Sequence, residues 1–222
     1  WDHINVFPTF ENYLDQFRIF KNLVSDCLIF CKEDSDLNKL MLEHINIRTV
    51  GYTTPNYTIK NGITYLENIP LKIFGKHNLQ NLNAARLVCN ELGVSDGDFL
   101  NSIKTFNGAS NRLELIREDI NSSIFKDFAH SPSKLVATID AVKEQFKTRR
   151  LIACMELHTF SSLNKKFLNQ YSDSMNCADE AIVYFSLEAI KHKKLKPISK
   201  KDIKFAFNNE NLKVINNSDE LK

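Results

Sequence analysis

The segment Ile124-Phe125-Lys126-Asp127-Phe128-Ala129-His130-Ser131-Pro132-Ser133-Lys134 carries the densest chemistry in the chain. It passes from a short apolar strand into a helix start. Ser131 can serve as N-cap, Pro132 suits the first turn, and Leu135, Val136, Ile139, Val142 and Phe146 then recur at helical spacing. In open α/β sheets, ligands sit beyond the carboxyl ends of the strands, where a helix N-terminus offers unpaired N–H groups to an anion or polar ligand. A carboxylate and an imidazole three residues apart there, Asp127 and His130, are well placed for chemistry. A plainer reading stands beside it, in which Asp127 caps the turn and His130 lines it.

The elements that must position these groups come from ordinary globular material: 222 residues, 43% hydrophobic and 25% charged, enough for one large domain or two small ones. Lys+Arg 29 against Asp+Glu 27 leaves a formal net charge of +2, so neither nucleic acid nor a membrane surface is indicated as partner. The basic runs at 143–150 and 191–201 read as solvated helix faces and loops. No apolar window reaches membrane-span length and no signal peptide opens the chain, so a cytoplasmic location is the default expectation. The five cysteines are odd in number and lie in apolar segments, which predicts reduced, buried thiols and no cysteine metal site. The opening at Trp1 without an initiator Met, and the close just as a helix starts after 212–215, read as cut ends.

In chain order, Thr9 caps a helix whose stripe Phe10, Tyr13, Leu14, Phe17, Phe20 and Val24 is expected to face the core. A strand at 27–31, a helix at 36–44 and a strand at 47–52 make a β-α-β alternation and predict a parallel sheet. Asn61-Gly62 marks a hairpin between 57–59 and 63–65. A helix follows residues 75–78, with Leu79, Leu82, Ala85, Val88, Cys89 and Leu92 inward, and ends at Gly93; Ser95 caps the next. Residues 107–111 are small and polar, which puts a domain boundary at about Gly108. Beyond it, strands at 112–117, 122–127, 151–155, 180–185 and 212–215 and helices at 132–146, 163–171 and 200–207 describe a doubly wound, Rossmann-like α/β domain. It has no Gly-x-Gly-x-x-Gly fingerprint for a dinucleotide.

Three stretches in this order resemble the Mur ligases, ATP-dependent enzymes that add amino acids or peptides to the cell-wall precursor. They are the helix start Gly75-Lys76-His77-Asn78-Leu79-Gln80-Asn81-Leu82-Asn83-Ala84-Ala85, the linker Phe106-Asn107-Gly108-Ala109-Ser110-Asn111-Arg112-Leu113-Glu114, and Asp127-Phe128-Ala129-His130-Ser131-Pro132. A weaker fourth match is Asp2-His3. The resemblance implies an α/β fold in which residues 1–108 are the back half of a central ATPase domain and 109–222 most of a Rossmann-like C-terminal domain. It implies ATP and Mg2+ as cofactors, and UDP-N-acetylmuramate with an amino acid or peptide as substrates. The chemistry implied is phosphorylation of a carboxylate, then attack of an amine on the acyl phosphate.

By the same resemblance His3 is the magnesium-proximal residue, Asn78 and Asn81 lie near the adenine, Arg112 reaches the ATP phosphates and Asp127 contacts the nucleotide, with His130 beside it as a third catalytic candidate. The chain departs from the family at Asn111, often histidine or basic there, at Lys126, where many members carry an acid, and at Ser131, which replaces a second histidine. No Gly-x-x-x-x-Gly-Lys-Ser/Thr phosphate loop occurs, so these residues alone are expected to be inactive. The loop 156–161 offers His158 and Ser161 to the incoming substrate but no arginine to clamp a carboxylate. It resembles the branch that attaches L-Ala-γ-D-Glu-meso-diaminopimelate in recycling; the alternatives are the L-alanine-adding branch and a non-catalytic nucleotide-binding relative.

Overall fold

The computed structural model describes residues 1, 3–43 and 47–221, the last of these by its backbone alone. The chain folds as two compact units, one contiguous (Glu11–Asp127) and one built from two segments (Trp1–Phe10 and Phe128–Lys222). The boundary expected near Gly108 falls inside the contiguous unit. The reason is the hairpin of β6 (Glu114–Glu118) and β7 (Ser123–Lys126), whose Phe125 packs edge-to-face on Phe74 at 5.3 Å.

In the contiguous unit, α1 (Phe10–Leu23) leads to β1 (Cys27–Cys31), α2 (Ser35–Leu42) and β2 (Arg48–Tyr52), and the two strands pair in parallel as the alternation predicts. Asp34 caps α2 by accepting from Asp36 and Leu37 N–H; the expected helix end at His44 lies outside the described residues. The α1 stripe is not the core expected of it. Phe10 and Phe20 are exposed, and the buried residue of the helix is Lys21. Burial is tolerated because its ammonium donates to Leu40 O and to Glu43, both at 3.1 Å.

The antiparallel β3 (Tyr57–Lys60), β4 (Ile63–Leu66) and β5 (Ile69–Leu71) follow, with Asn61 at φ 51° and Gly62 at φ 72° making the two-residue turn. Then come α3 (Lys76–Glu91) and α4 (Asp96–Ile103), the second capped by the Ser95 hydroxyl. Leu66, Leu71, Leu79, Leu82 and Phe99 form the core here, while Val88 and Leu92, expected inward, are exposed.

The two-segment unit centres on a parallel sheet in the order β8 (Ile152–Leu157), β9 (Glu180–Phe185), β10 (Lys213–Ile215). Around it run α5 (Pro132–Gln145), α6 (Lys165–Leu168) continued by a 3-10 turn, α7 (Leu187–His192) and α8 (Lys200–Phe207), where Ser199 and Asp202 complete a capping box. β9 is buried at every second residue, and Tyr171 stacks on Phe207 with centroids 5.1 Å apart. The N-terminal segment joins this core through Trp1, edge-to-face on Phe167 at 6.1 Å. α7 was not expected; it occupies part of the run read as solvated surface.

All five cysteines are free thiols, as expected, but none is buried: Cys154 and Cys177 are exposed and the other three half-buried. No described helix is long and apolar enough to cross a membrane.

Candidate functional site

The residues singled out in the sequence fall into two groups, one in each unit. In the contiguous unit, Gly75 at φ 89° turns the chain into α3, so that Asn78 and Asn81 lie one turn apart on the first coils of the helix. Asn78 spends one amide hydrogen on Phe74 O at 2.9 Å, whereas the Asn81 side chain is exposed. The helix start is held by Glu33 just beyond β1. Its carboxylate accepts from Thr54 N–H and hydroxyl at 2.8 and 2.9 Å, from Gln80 at 2.8 Å and from Lys76 at 3.0 Å. These donors, Thr54 N–H foremost, bring its pKa down to about 2. Glu33 thereby ties the carboxyl ends of both parallel strands to the N-terminus of α3.

Arg112 is exposed at the entrance to β6, and Asp127 is half-buried at the exit of β7. Asp127 Oδ2 accepts from Leu113 N–H at 2.8 Å. Leu113 is buried yet sits at φ 46°, a conformation costly for a leucine. The carboxylate thus does hold a backbone turn, as in the plainer reading, and the turn it holds carries Arg112. Asn111, at φ 56°, is fixed in turn by Glu114, whose carboxylate accepts from its N–H at 2.7 Å.

His77 was not singled out, although it stands between Lys76 and Asn78 in the matched helix start. Its Nδ1 is buried without a hydrogen-bond partner. Burial lowers the pKa of the ring; Asp127 opposes this and Arg112 adds to it. An unpaired buried nitrogen costs of order 1–3 kcal/mol, and it lies in the electrostatic reach of both matched charged residues. A bound ligand would relieve that cost. The missed signal was the helix-start histidine itself, hidden because apolar periodicity says nothing about polar atoms left over.

A measurable consequence follows from the direction of the shift. The folded state resists protonating His77, so the unfolded chain binds more protons below the ordinary value of 6.5, and stability falls as pH drops below it. Replacing His77 with Gln is expected to flatten that part of the stability–pH curve in urea unfolding between pH 7 and 5. An unchanged slope would place the titration elsewhere.

In the two-segment unit, His130 is buried next to the N-terminus of α5, and its ring centroid lies 6.4 Å from that of His3, 6.1 Å from that of His158 and 4.7 Å from that of Phe128. His130 Nδ1 meets Phe128 O at 2.9 Å, and His158 Nδ1 meets Glu156 O at 3.2 Å. A carbonyl can only accept, so in each neutral ring Nδ1 carries the proton and Nε2 the lone pair. Tyr171 donates its hydroxyl to His130 O and fixes the backbone there.

The loop after β8 spends its hydroxyls on itself. Thr159 and Ser162 exchange hydrogen bonds at 2.9–3.0 Å, and Ser161, fully buried, accepts from Ile4 N–H at 3.3 Å. Ser161 therefore anchors the N-terminal segment, and His158 is left as the loop's half-buried polar group.

The magnesium expectation on His3 meets a different environment. Its described neighbour is an imidazole, its sequence partner Asp2 lies outside the described residues, and no group of three or more His, Cys, Asp or Glu able to hold a metal occurs among the described residues. Magnesium takes oxygen ligands, so the described residues do not by themselves fit it. ATP fits better, given the unpaired His77 nitrogen beside Arg112 and Asp127.

No family model matches the chain. Among curated proteins, the UDP-N-acetylmuramate–L-alanine ligase of Caldanaerobacter subterraneus is 30% identical over 222 aligned positions, covering 91% of this chain and 47% of that protein. Five further relatives, 28–35% identical, carry the same name. Among solved structures, the UDP-N-acetylmuramate–alanine ligase of Thermotoga maritima superposes with a TM-score of 0.65 at 19% identity, over 99% of this chain and 50% of that one. A murein peptide ligase from Psychrobacter arcticus gives 0.60 at 18% identity, over 94% and 47%. The chain thus spans about half the length of the proteins it matches. It has the α/β fold of the Mur ligases. By sequence and fold together, it resembles the Mur ligases along most of its length.

Proposed function

We propose that the whole protein is an ATP-dependent ligase of peptidoglycan synthesis in the cytoplasm, joining an amino acid to UDP-N-acetylmuramate through an acyl phosphate, with L-alanine as the acceptor. The observation that carries this reading is the likeness, across 91% of the chain, to a UDP-N-acetylmuramate–L-alanine ligase. In this reading residues 1–108 correspond to the back half of the central ATPase domain and 109–222 to the C-terminal domain, while the compact units divide at Asp127. Bound ATP would supply the phosphoryl group that activates the carboxylate.

Arg112 is then the charge aimed at the phosphates, Asn78 and Asn81 the amides nearest the base, and His77 Nδ1 a hydrogen-bonding atom that the nucleotide satisfies. Asp127 keeps the Arg112 turn in place while offering a carboxylate to the nucleotide. His130, buried and fixed through Tyr171, stands on the acceptor side with His158. Magnesium enters with the phosphates, and the described residues assign it no cage. Residues 1–222 alone are expected to be inactive for want of a phosphate loop.

A second reading, the tripeptide L-Ala-γ-D-Glu-meso-diaminopimelate as acceptor, is favoured by one observation: the loop 156–161 contains no arginine. The two are separated by specificity constants in the whole protein with saturating ATP and UDP-N-acetylmuramate. L-alanine is expected to lead by at least ~10-fold. A lead for the tripeptide reverses the choice of branch, and turnover with neither acceptor overturns the ligase reading.

A further inference from the structure

The loop 156–161 lacks a cation of its own, yet both acceptors present a carboxylate, and a carboxylate taken from water needs a charged partner. The structure brings one from elsewhere in the same unit. Lys193, the C-cap of α7, holds its Nζ over the ring of Phe160 at 5.8 Å from the centroid. Among the described residues it forms no ion pair, and Phe160 beneath it is 37% exposed.

Neither side of this contact is loosely held. The turn after α7 closes with Lys194 N–H on Lys191 O at 3.0 Å and Leu195 N–H on Ile190 O at 3.1 Å, the paired bonds of a Schellman motif. Lys194 takes the left-handed position, φ 54°, that glycine usually fills, so the turn is retained against a backbone preference. Ile190 is buried below it. On the other side, Phe160 stands between Thr159 and Ser161, whose hydroxyls are locked into the loop and to Ile4. Two immobilised segments thus present an ammonium on an aromatic face, two residues from His158. Lys191, Lys194 and Lys196 add positive charge along the same run, which in sequence reads only as solvated surface.

Resting on the ligase reading above, we propose that Lys193 is the specificity residue that binds the carboxylate of the incoming amine substrate, seated on Phe160 beside the His158 loop. The missing arginine is then no argument against free L-alanine, because the cation arrives from α7.

The test uses the whole protein and compares L-alanine with L-alaninamide, which lacks the carboxylate, in wild type, Lys193→Gln and Lys193→Arg. In wild type, L-alanine should exceed L-alaninamide in kcat/KM by ~10-fold or more. Lys193→Gln should raise the KM for L-alanine by ~10-fold and bring the ratio close to one, with the KM values for ATP and UDP-N-acetylmuramate within about twofold of wild type; Lys193→Arg should restore most of the preference. If wild type turns over but Lys193→Gln keeps its L-alanine KM within about twofold, or loses ATP affinity in parallel, this inference falls and the ligase reading stands. If wild type turns over neither L-alanine nor the tripeptide, both fall.

Discussion

In the whole protein, Asp127→Ala and Arg112→Ala are each expected to lower ATP-dependent turnover by at least ~10-fold, a loss of about 1.4 kcal/mol or more in transition-state stabilisation. The two variants should reach that result differently. Arg112 is exposed, so its removal takes away a charge and little packing. Asp127 also holds Leu113 N–H, and without it a buried leucine has less reason to stay at φ 46°, so the turn that carries Arg112 relaxes as well. Asp127→Asn separates the two duties, since it keeps an acceptor oxygen for Leu113 and gives up only the charge. Stability close to wild type with turnover still down ~10-fold is the expected outcome for it. If Asp127→Asn works normally, Asp127 is a turn cap and no more.

The largest loss of stability is expected from Phe207→Ala, about 3–5 kcal/mol in urea unfolding with little change in slope. Phe207 is fully buried and its ring stacks on Tyr171, itself fully buried, at an interplanar angle of 8°. Ile203 and Leu212 belong to the same core cluster with under 2% exposure each, so nothing large can move into the gap. The damage should also reach His130, because the Tyr171 hydroxyl fixes the His130 carbonyl. Tyr171→Phe, which spares the ring and removes only that hydroxyl, serves as the milder control. A loss below ~1 kcal/mol for Phe207→Ala would mean that this core is not packed as described.

The strands and helices with a clear period, a cap and a breaker were legible in the sequence. β9 (Glu180–Phe185) and α8 (Lys200–Phe207) lie where expected to the residue, and the Asn61-Gly62 hairpin turned as its φ requirements dictate. α1 shows where the pattern misleads. Its period marks a helix correctly, but the side that is buried is settled by partners, and Lys21 found two oxygens far along the chain while Phe20 found no cover among the described residues. α7 was missed because six residues hold too few apolar positions for a period to register, and its lysines masked the rest. At the candidate site, the family resemblance put forward Asn78, Arg112 and Asp127. It could not disclose the unpaired nitrogen of His77, the burial of Ser161 or the reach of Lys193, since each depends on groups brought together only by the tertiary fold.

The assembly of the second unit from both ends of the described chain bears on the order in which the molecule takes shape. Glu11–Asp127 is one unbroken run and can close while synthesis continues, whereas Trp1–Phe10 must wait for a core made of residues synthesised after it, from Phe128 onward. Ile4 meets Ser161 across 157 positions, and closing so long a loop adds little entropy beyond that of a much shorter one, so the delay is kinetic more than thermodynamic. During that interval the Trp1 indole can meet Phe10 in its own segment but not Phe167, its edge-to-face partner in the later one.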